Sequence, residues 1–247
     1  MSASLELWPV PPRRTGQPTR WDRLRRAVVQ LPSALLLVVQ LAAIVAVPFL
    51  ETATLGGFRQ SGRVLVGLVG LVVLLLAVRA VRVTPAPLSV ALILGLSAAG
   101  LAVAQVVLPD SAAVLLWSSL LHAAFYGYTA YALLRYMFAD TWVTRDEVYA
   151  TGAAFAVFAW AFAHLYVAVQ VLWPHSFAAH GQAGTGERSW YQLLFLSFQT
   201  MTGAGPSDII PVTEHARSFV MVEQVCGMLF VALVVARVVG LTIARFK

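Results

Sequence analysis

The chain has 247 residues, 60% of them hydrophobic and 11% charged, with a formal net charge of +6 and a mean hydropathy of +0.79. Soluble domains carry about 25% charged residues, whereas the apolar residues here come in runs near the ~20 that a bilayer-crossing helix needs. These numbers argue against a soluble enzyme. The basic excess is no nucleic-acid signature either, because six arginines (Arg13, Arg14, Arg20, Arg23, Arg25 and Arg26) cluster in an N-terminal tail and read as a membrane-orientation signal. The single cysteine, Cys226, leaves no pairing for an intrachain disulfide.

In chain order, the basic tail, residues 1–27, comes first and is predicted to be cytoplasmic. It is longer than an ordinary n-region, and the apolar run that follows exceeds the ~7–15 residues of a signal-peptide h-region, so no cleaved leader is expected. Six membrane segments are predicted, over residues 28–50, 64–83, 88–108, 112–138, 148–173 and 216–243. Each is apolar and bounded by charge, proline or glycine, and in lipid each must be helical to satisfy its own backbone. The reading is an all-α integral membrane protein with a four-helix peripheral domain, 28–138, and a second unit from 148 to 247.

With the N-terminus inside, twelve basic residues fall on the inner side: the six of the tail, Arg79, Arg82, Arg135, Arg145, Arg245 and Lys247. Four fall outside, Arg59, Arg63, Arg188 and Arg217, and Arg237 lies within the last helix. That bias predicts both termini on the cytoplasmic side. The fourth segment carries no basic residue between Ala112 and Leu134, so it lacks the repeated arginines of a voltage sensor.

The long outer connection between the last two segments is not uniform. Its first part, "PHSFAAHGQAGTGER", reads as flexible and solvated, and its two histidines, His175 and His180, as solvated rather than metal-binding. Then "SWYQLLFLSFQT" is apolar and aromatic but too short to span, which predicts a re-entrant helix over 189–201 with Ser189 as its N-cap. The Gly-rich loop 202–208 follows. Irregular backbone at membrane depth survives only inside protein or beside a water-filled cavity, so helix, short helix, loop, helix is the plan of a pore.

The residues of that plan, "LFLSFQTMTGAGPSDIIPVTEHARSFVMVEQVCGMLFVALVVARVVGL" from Leu194 to Leu241, resemble the pore domain of bacterial six-helix potassium channel-like proteins of the two-transmembrane pore-domain family. Ser197, Phe198, Thr200, Thr202, Gly205, Asp208, Ile209, Pro211, Glu223, Gly227 and Arg237 fall where the family has the same residue, without a gap. The resemblance implies a homo-tetramer in the bacterial inner membrane, no enzymatic activity and no cofactor beyond a permeating monovalent cation, with K+ one candidate. It also implies an ion filter over Thr202, Gly203, Ala204, Gly205, Pro206 and Ser207, with Asp208 at the outer mouth.

The departure falls on that filter. The family's Thr-Val-Gly-Tyr-Gly is replaced by Gly203, Ala204, Gly205, Pro206 and Ser207. A potassium filter aims successive backbone carbonyls at the axis and needs glycine where the backbone turns left-handed. Ser207 stands where that freedom is usual, Pro206 fixes its φ and lacks an N–H, and Gly203 brings no hydroxyl. Three outcomes stay open at this level: potassium-selective conduction, weakly selective conduction, and a non-conducting homologue acting as a structural or regulatory subunit. Behind the loop, Glu223 is expected to support it through a backbone donor, and Gly227 to act as a gating hinge or a close-packing point. Asp208 is expected to join an acidic ring or to pair with the pore helix, and Arg237 to snorkel.

Overall fold

The structure is a computed structural model, and it describes residues 31–52, 60–139, 144–179, 186–205 and 207–245. Seven helices occur among them: α1 Pro32–Thr52, α2 Gln60–Val81, α3 Leu88–Val107, α4 Ala112–Met137, α5 Arg145–Leu172, α6 Trp190–Thr202 and α7 Glu214–Arg245. Two three-residue strands, β1 Phe177–Ala179 and β2 Ile209–Pro211, complete the described elements. By length and composition four stretches can cross a membrane: Pro32–Leu50, Leu88–Val107, Asp146–Leu172 and Glu214–Arg237. The apolar part of α2, Leu68–Val81, is shorter, and α4 is interrupted by Ser118, Ser119, His122 and Thr129.

Packing follows from which stripe of each helix is small or apolar. After Pro32, the buried positions on α1 are Ser33, Leu36, Gln40, Ala43 and Val47, alternating steps of three and four along one face. On α5 burial is nearly all round, and alanine does most of it: Ala150, Ala153, Ala154, Ala159, Ala163 and Ala168 have almost no exposed surface. Small side chains let neighbouring backbones approach, and α5 accordingly packs against α1, α4, α6 and α7. Gly152 is one such point: a Cβ there would sit 2.9 Å from Leu37 of α1. One continuous core runs from Leu36 of α1 through Phe125 of α4 and Trp160 of α5 to Leu194 of α6 and Phe230 of α7.

Two adjacent carboxylates tie one end of the bundle. Asp146 accepts from the Ser33 backbone N–H (3.1 Å) and the Ser33 hydroxyl (2.8 Å), capping the start of α1. Glu147 accepts the hydroxyl of Thr144 at 3.1 Å and pairs with Arg237 of α7 at 3.0 Å. Arg237 therefore does not merely snorkel; its guanidinium lies 5.2 Å from the Phe138 ring centroid and bonds a carboxylate that is only 4% exposed. The correction has a simple cause, because an arginine at membrane depth takes a charged partner where one is within reach. At this level the starts of α1 and α5 meet the end of α7.

The connection between α5 and α6 also differs from its sequence reading. Phe177–Ala179, expected to be solvated, pairs antiparallel with Ile209–Pro211 in the register Phe177 to Pro211 and Ala179 to Ile209. Phe177 and Ile209 are buried, so the pairing is secured by apolar contact as well as by its ladder. His175 has a φ of 62°, a left-handed turn leading into β1. His180 lies outside the described residues, and no cluster of metal-binding side chains occurs among those described.

Candidate functional site

The short helix α6 starts as the sequence predicts. Ser189 accepts from the Gln192 N–H (3.2 Å) and the Gln192 side chain accepts from the Ser189 N–H (3.0 Å), a reciprocal capping box. Just upstream, Gln170 of α5 holds Arg188 by its backbone, accepting from its N–H at 3.1 Å and donating to its carbonyl at 2.8 Å. The start of α6 is thereby fixed to α5 before the helix begins.

Midway along α6, Ser197 and Glu223 form the central tie. Glu223, on α7, has no exposed surface. It accepts hydroxyl hydrogen bonds from Ser197 of α6 and Tyr166 of α5. The Ser197 hydroxyl also lies 2.9 Å from the Ala159 carbonyl of α5. Three helices thus converge on one carboxyl group. The expected backbone donor to Glu223 is absent among the described residues, and two hydroxyls do that work. They can because Ser197 faces inward on α6 and Tyr166 lies one turn before Gln170 on α5.

One turn further along α7, Gly227 meets the end of α6. A Cβ at this position would lie 2.6 Å from the Met201 carbonyl oxygen and 2.8 Å from its Cα. Only glycine permits that approach, so the geometry here is close packing of α7 against the last turn of α6.

Thr202 ends α6, its hydroxyl donating to the Phe198 carbonyl at 2.7 Å. Gly203 then takes the left-handed cap, φ 62° and ψ 20°, and its N–H donates to the Gln199 carbonyl. Gly205 has a φ of 136°, a region that side-chain-bearing residues rarely adopt. Thr202, Gly203, Ala204 and Gly205 are exposed in the single chain, and nothing lies within 4 Å of where a Cβ on either glycine would be. Pro206 lies outside the described residues. Ser207 avoids a positive φ, contrary to the strain its position suggests, and accepts from the Ile209 N–H at 3.1 Å instead. Its hydroxyl forms a local turn that a glycine would not. Asp208 is exposed and has no ion pair or hydrogen bond among the described residues, so the pairing with the pore helix is not seen.

Beyond the loop the chain is anchored again. Val212 donates to the Ser176 carbonyl at 2.8 Å, and the Ser176 and Thr213 hydroxyls are 3.0 Å apart. Thr213 in turn accepts from the Ala216 N–H at 3.3 Å in the first turn of α7. An exposed loop with two glycines in left-handed conformations is therefore held between two fixed ends. The carbonyl-rich end of α6 faces it, and that end of a helix carries partial negative charge.

Residues 152–243 match the family model described as ion channel, a span that takes in most of α5, the whole of α6 and the loop, and nearly all of α7. No curated protein and no solved structure matches the chain. The match points to transport rather than enzyme chemistry. With its apolar helices, the C-terminal part of this chain has the make-up of an ion channel carried by a multi-pass membrane protein.

Proposed function

We propose that the protein is a subunit of a homo-tetrameric channel that passes monovalent cations with weak selectivity between K+ and Na+. In this reading the chain crosses the membrane six times, α1 to α5 and α7, both termini are cytoplasmic, and the membrane is a bacterial inner membrane. Helix α6 re-enters from outside. Thr202 to Ser207 line the narrowest part, and Asp208 forms the outer ring.

The observation that carries the reading is the loop itself. It is anchored at both ends, open in the middle, and fed by the negative end of α6, which favours a cation over an anion. One chain supplies one such loop, and a closed pore lined by backbone carbonyls needs about four. The outward faces of α7 supply material for that assembly, with Met221, Val225 and Met228 more than half exposed in the single chain. Weak selectivity follows from the loss of four of the five residues of the potassium filter, since rigid rings of carbonyls are what discriminate K+.

Reconstitution into liposomes, with K+ and Na+ flux measured against empty vesicles, is the test. Both ions are expected to pass, at rates within about tenfold of each other. A folded tetramer that conducts neither ion would overturn the channel reading and leave a structural or regulatory subunit. Strong preference for K+ would overturn only the account of the filter.

A further inference from the structure

A cavity of about 260 Å³ lies between the peripheral helices and the start of α6. Its two sides differ. Val47 of α1, Leu74 of α2 and Ala102 of α3 give an aliphatic wall, while Ser119, His122 and Tyr126 of α4 with His164 of α5 give a polar one. Trp160 and Trp190 close the aromatic side, their rings meeting edge to face at 5.0 Å.

The polar wall has unused hydrogen-bonding capacity. Tyr126 is 1% exposed and Ser119 3%, yet neither hydroxyl has a hydrogen-bond partner among the described residues. The imidazole of His164 has none either; it stacks on His122 at 4.7 Å and on Tyr126 at 5.7 Å. His122 Nδ1 lies 2.8 Å from the Ser118 carbonyl, which can only accept, so Nδ1 carries the proton and Nε2 is left as an acceptor. The indole N–H groups of Trp160 and Trp190 are buried without an oxygen or nitrogen partner. Buried polar groups are nearly always satisfied; two indole N–H groups are buried without a partner here, and the Tyr126 and Ser119 hydroxyls line the cavity without one, which together point to an occupant.

We infer that this cavity binds a small uncharged amphiphile, with a flat hydrocarbon body on the α1–α3 side and an oxygen acceptor on the Ser119–Tyr126 side. A dry cavity of roughly 150 Å³ holds one benzene, so this one has room for a bicyclic ring. A charged ligand is disfavoured, since no Asp, Glu, Lys or Arg side chain lines the cavity. Trp190 is the first residue of α6, so the occupant touches both the peripheral helices and the pore helix. The inference does not depend on conduction, because binding is its readout.

The probes are 1-tetralone and tetralin, which share a ring system and differ in one carbonyl oxygen. Titration calorimetry on the full chain in lipid nanodiscs, with empty nanodiscs subtracted, is expected to give saturable 1-tetralone binding about tenfold tighter than tetralin. The double substitution Tyr126→Phe with Ser119→Ala keeps the ring and is expected to bring 1-tetralone down to the tetralin level. Gly70 lines the cavity with open space beyond its Cα, so Gly70→Phe fills it and is expected to abolish binding of both. No saturable binding to the unaltered chain overturns the inference. So does equal binding of the two probes, which would mark a merely apolar void, and so does unchanged binding in a folded Gly70→Phe protein.

Discussion

The two ends of the loop and its middle are built on opposite terms. Behind it, Ser197, Tyr166 and Glu223 join three helices at one carboxyl, and beyond it β2 is paired with β1 and Thr213 caps α7. Between them, Thr202 to Gly205 are exposed, and the glycines have no neighbour where a side chain would be. The frame is satisfied within one chain and the loop is not. A segment whose surroundings are complete in the monomer reports on folding, whereas one that is anchored yet uncovered reports on assembly.

The largest expected effect tests the frame. Glu223→Ala removes the acceptor of two buried hydroxyls and leaves a void, and is expected to lower stability by about 3–5 kcal/mol. Glu223→Gln keeps the shape and one acceptor oxygen, its amide N–H donating to the other hydroxyl oxygen, and should cost about 1 kcal/mol, so thermal melts in detergent separate the two. If both variants melt with the parent, Glu223 is not the tie described.

Gly227→Ala probes the contact that joins frame to loop. Its methyl group would overlap the Met201 backbone, which cannot yield as a flexible side chain would. A loss of about 1–3 kcal/mol is expected, together with altered ion flux as the end of α6 moves. A variant with parental melting and parental flux would mean that α7 is free to shift at this point. Gly203→Ala then acts inside the loop, where only the left-handed backbone is at stake, and about 1 kcal/mol is expected.

The smallest stability effect belongs to Asp208→Asn. Its exposed carboxylate makes no hydrogen bond or ion pair among the described residues, so melting should move by less than about 0.5 kcal/mol. In the proposed tetramer, cation flux at low salt should nevertheless fall, because each subunit would lose one charge at the mouth. A large change in melting would place Asp208 in the frame and blur the contrast between the two regions.

What the sequence made legible was whatever rests on local pattern. The ends of α3, α4 and α6 lie within a residue or so of their predictions, because Ser189, Ser111 and the flanking prolines and glycines act on their own neighbours. Glu223 was legible as a candidate tie because an acid inside an apolar helix needs a partner. Its partners were not, since Tyr166 is 57 residues away and neither hydroxyl signals itself in an apolar run. The β1–β2 pairing was hidden for a related reason: each strand is three residues long, too short for alternation to register, and the two are about 30 residues apart. The cavity was equally invisible, because His122 and His164 each look like isolated residues until α4 and α5 are packed.

The adjacent pair Asp146 and Glu147 bears on how the chain is made. Asp146 finds Ser33 already synthesised, but Glu147 must wait for Arg237, 90 residues later. At the usual ~5–20 residues per second of synthesis, the Glu147 carboxylate spends about 5–20 s before its guanidinium partner exists. That interval is a window in which quality-control proteases can recognise an unfinished chain, and arrival of Arg237 closes it. Pulse-chase labelling of Arg237→Met should accordingly show faster decay of newly made protein than the parent, and equal decay would remove the idea.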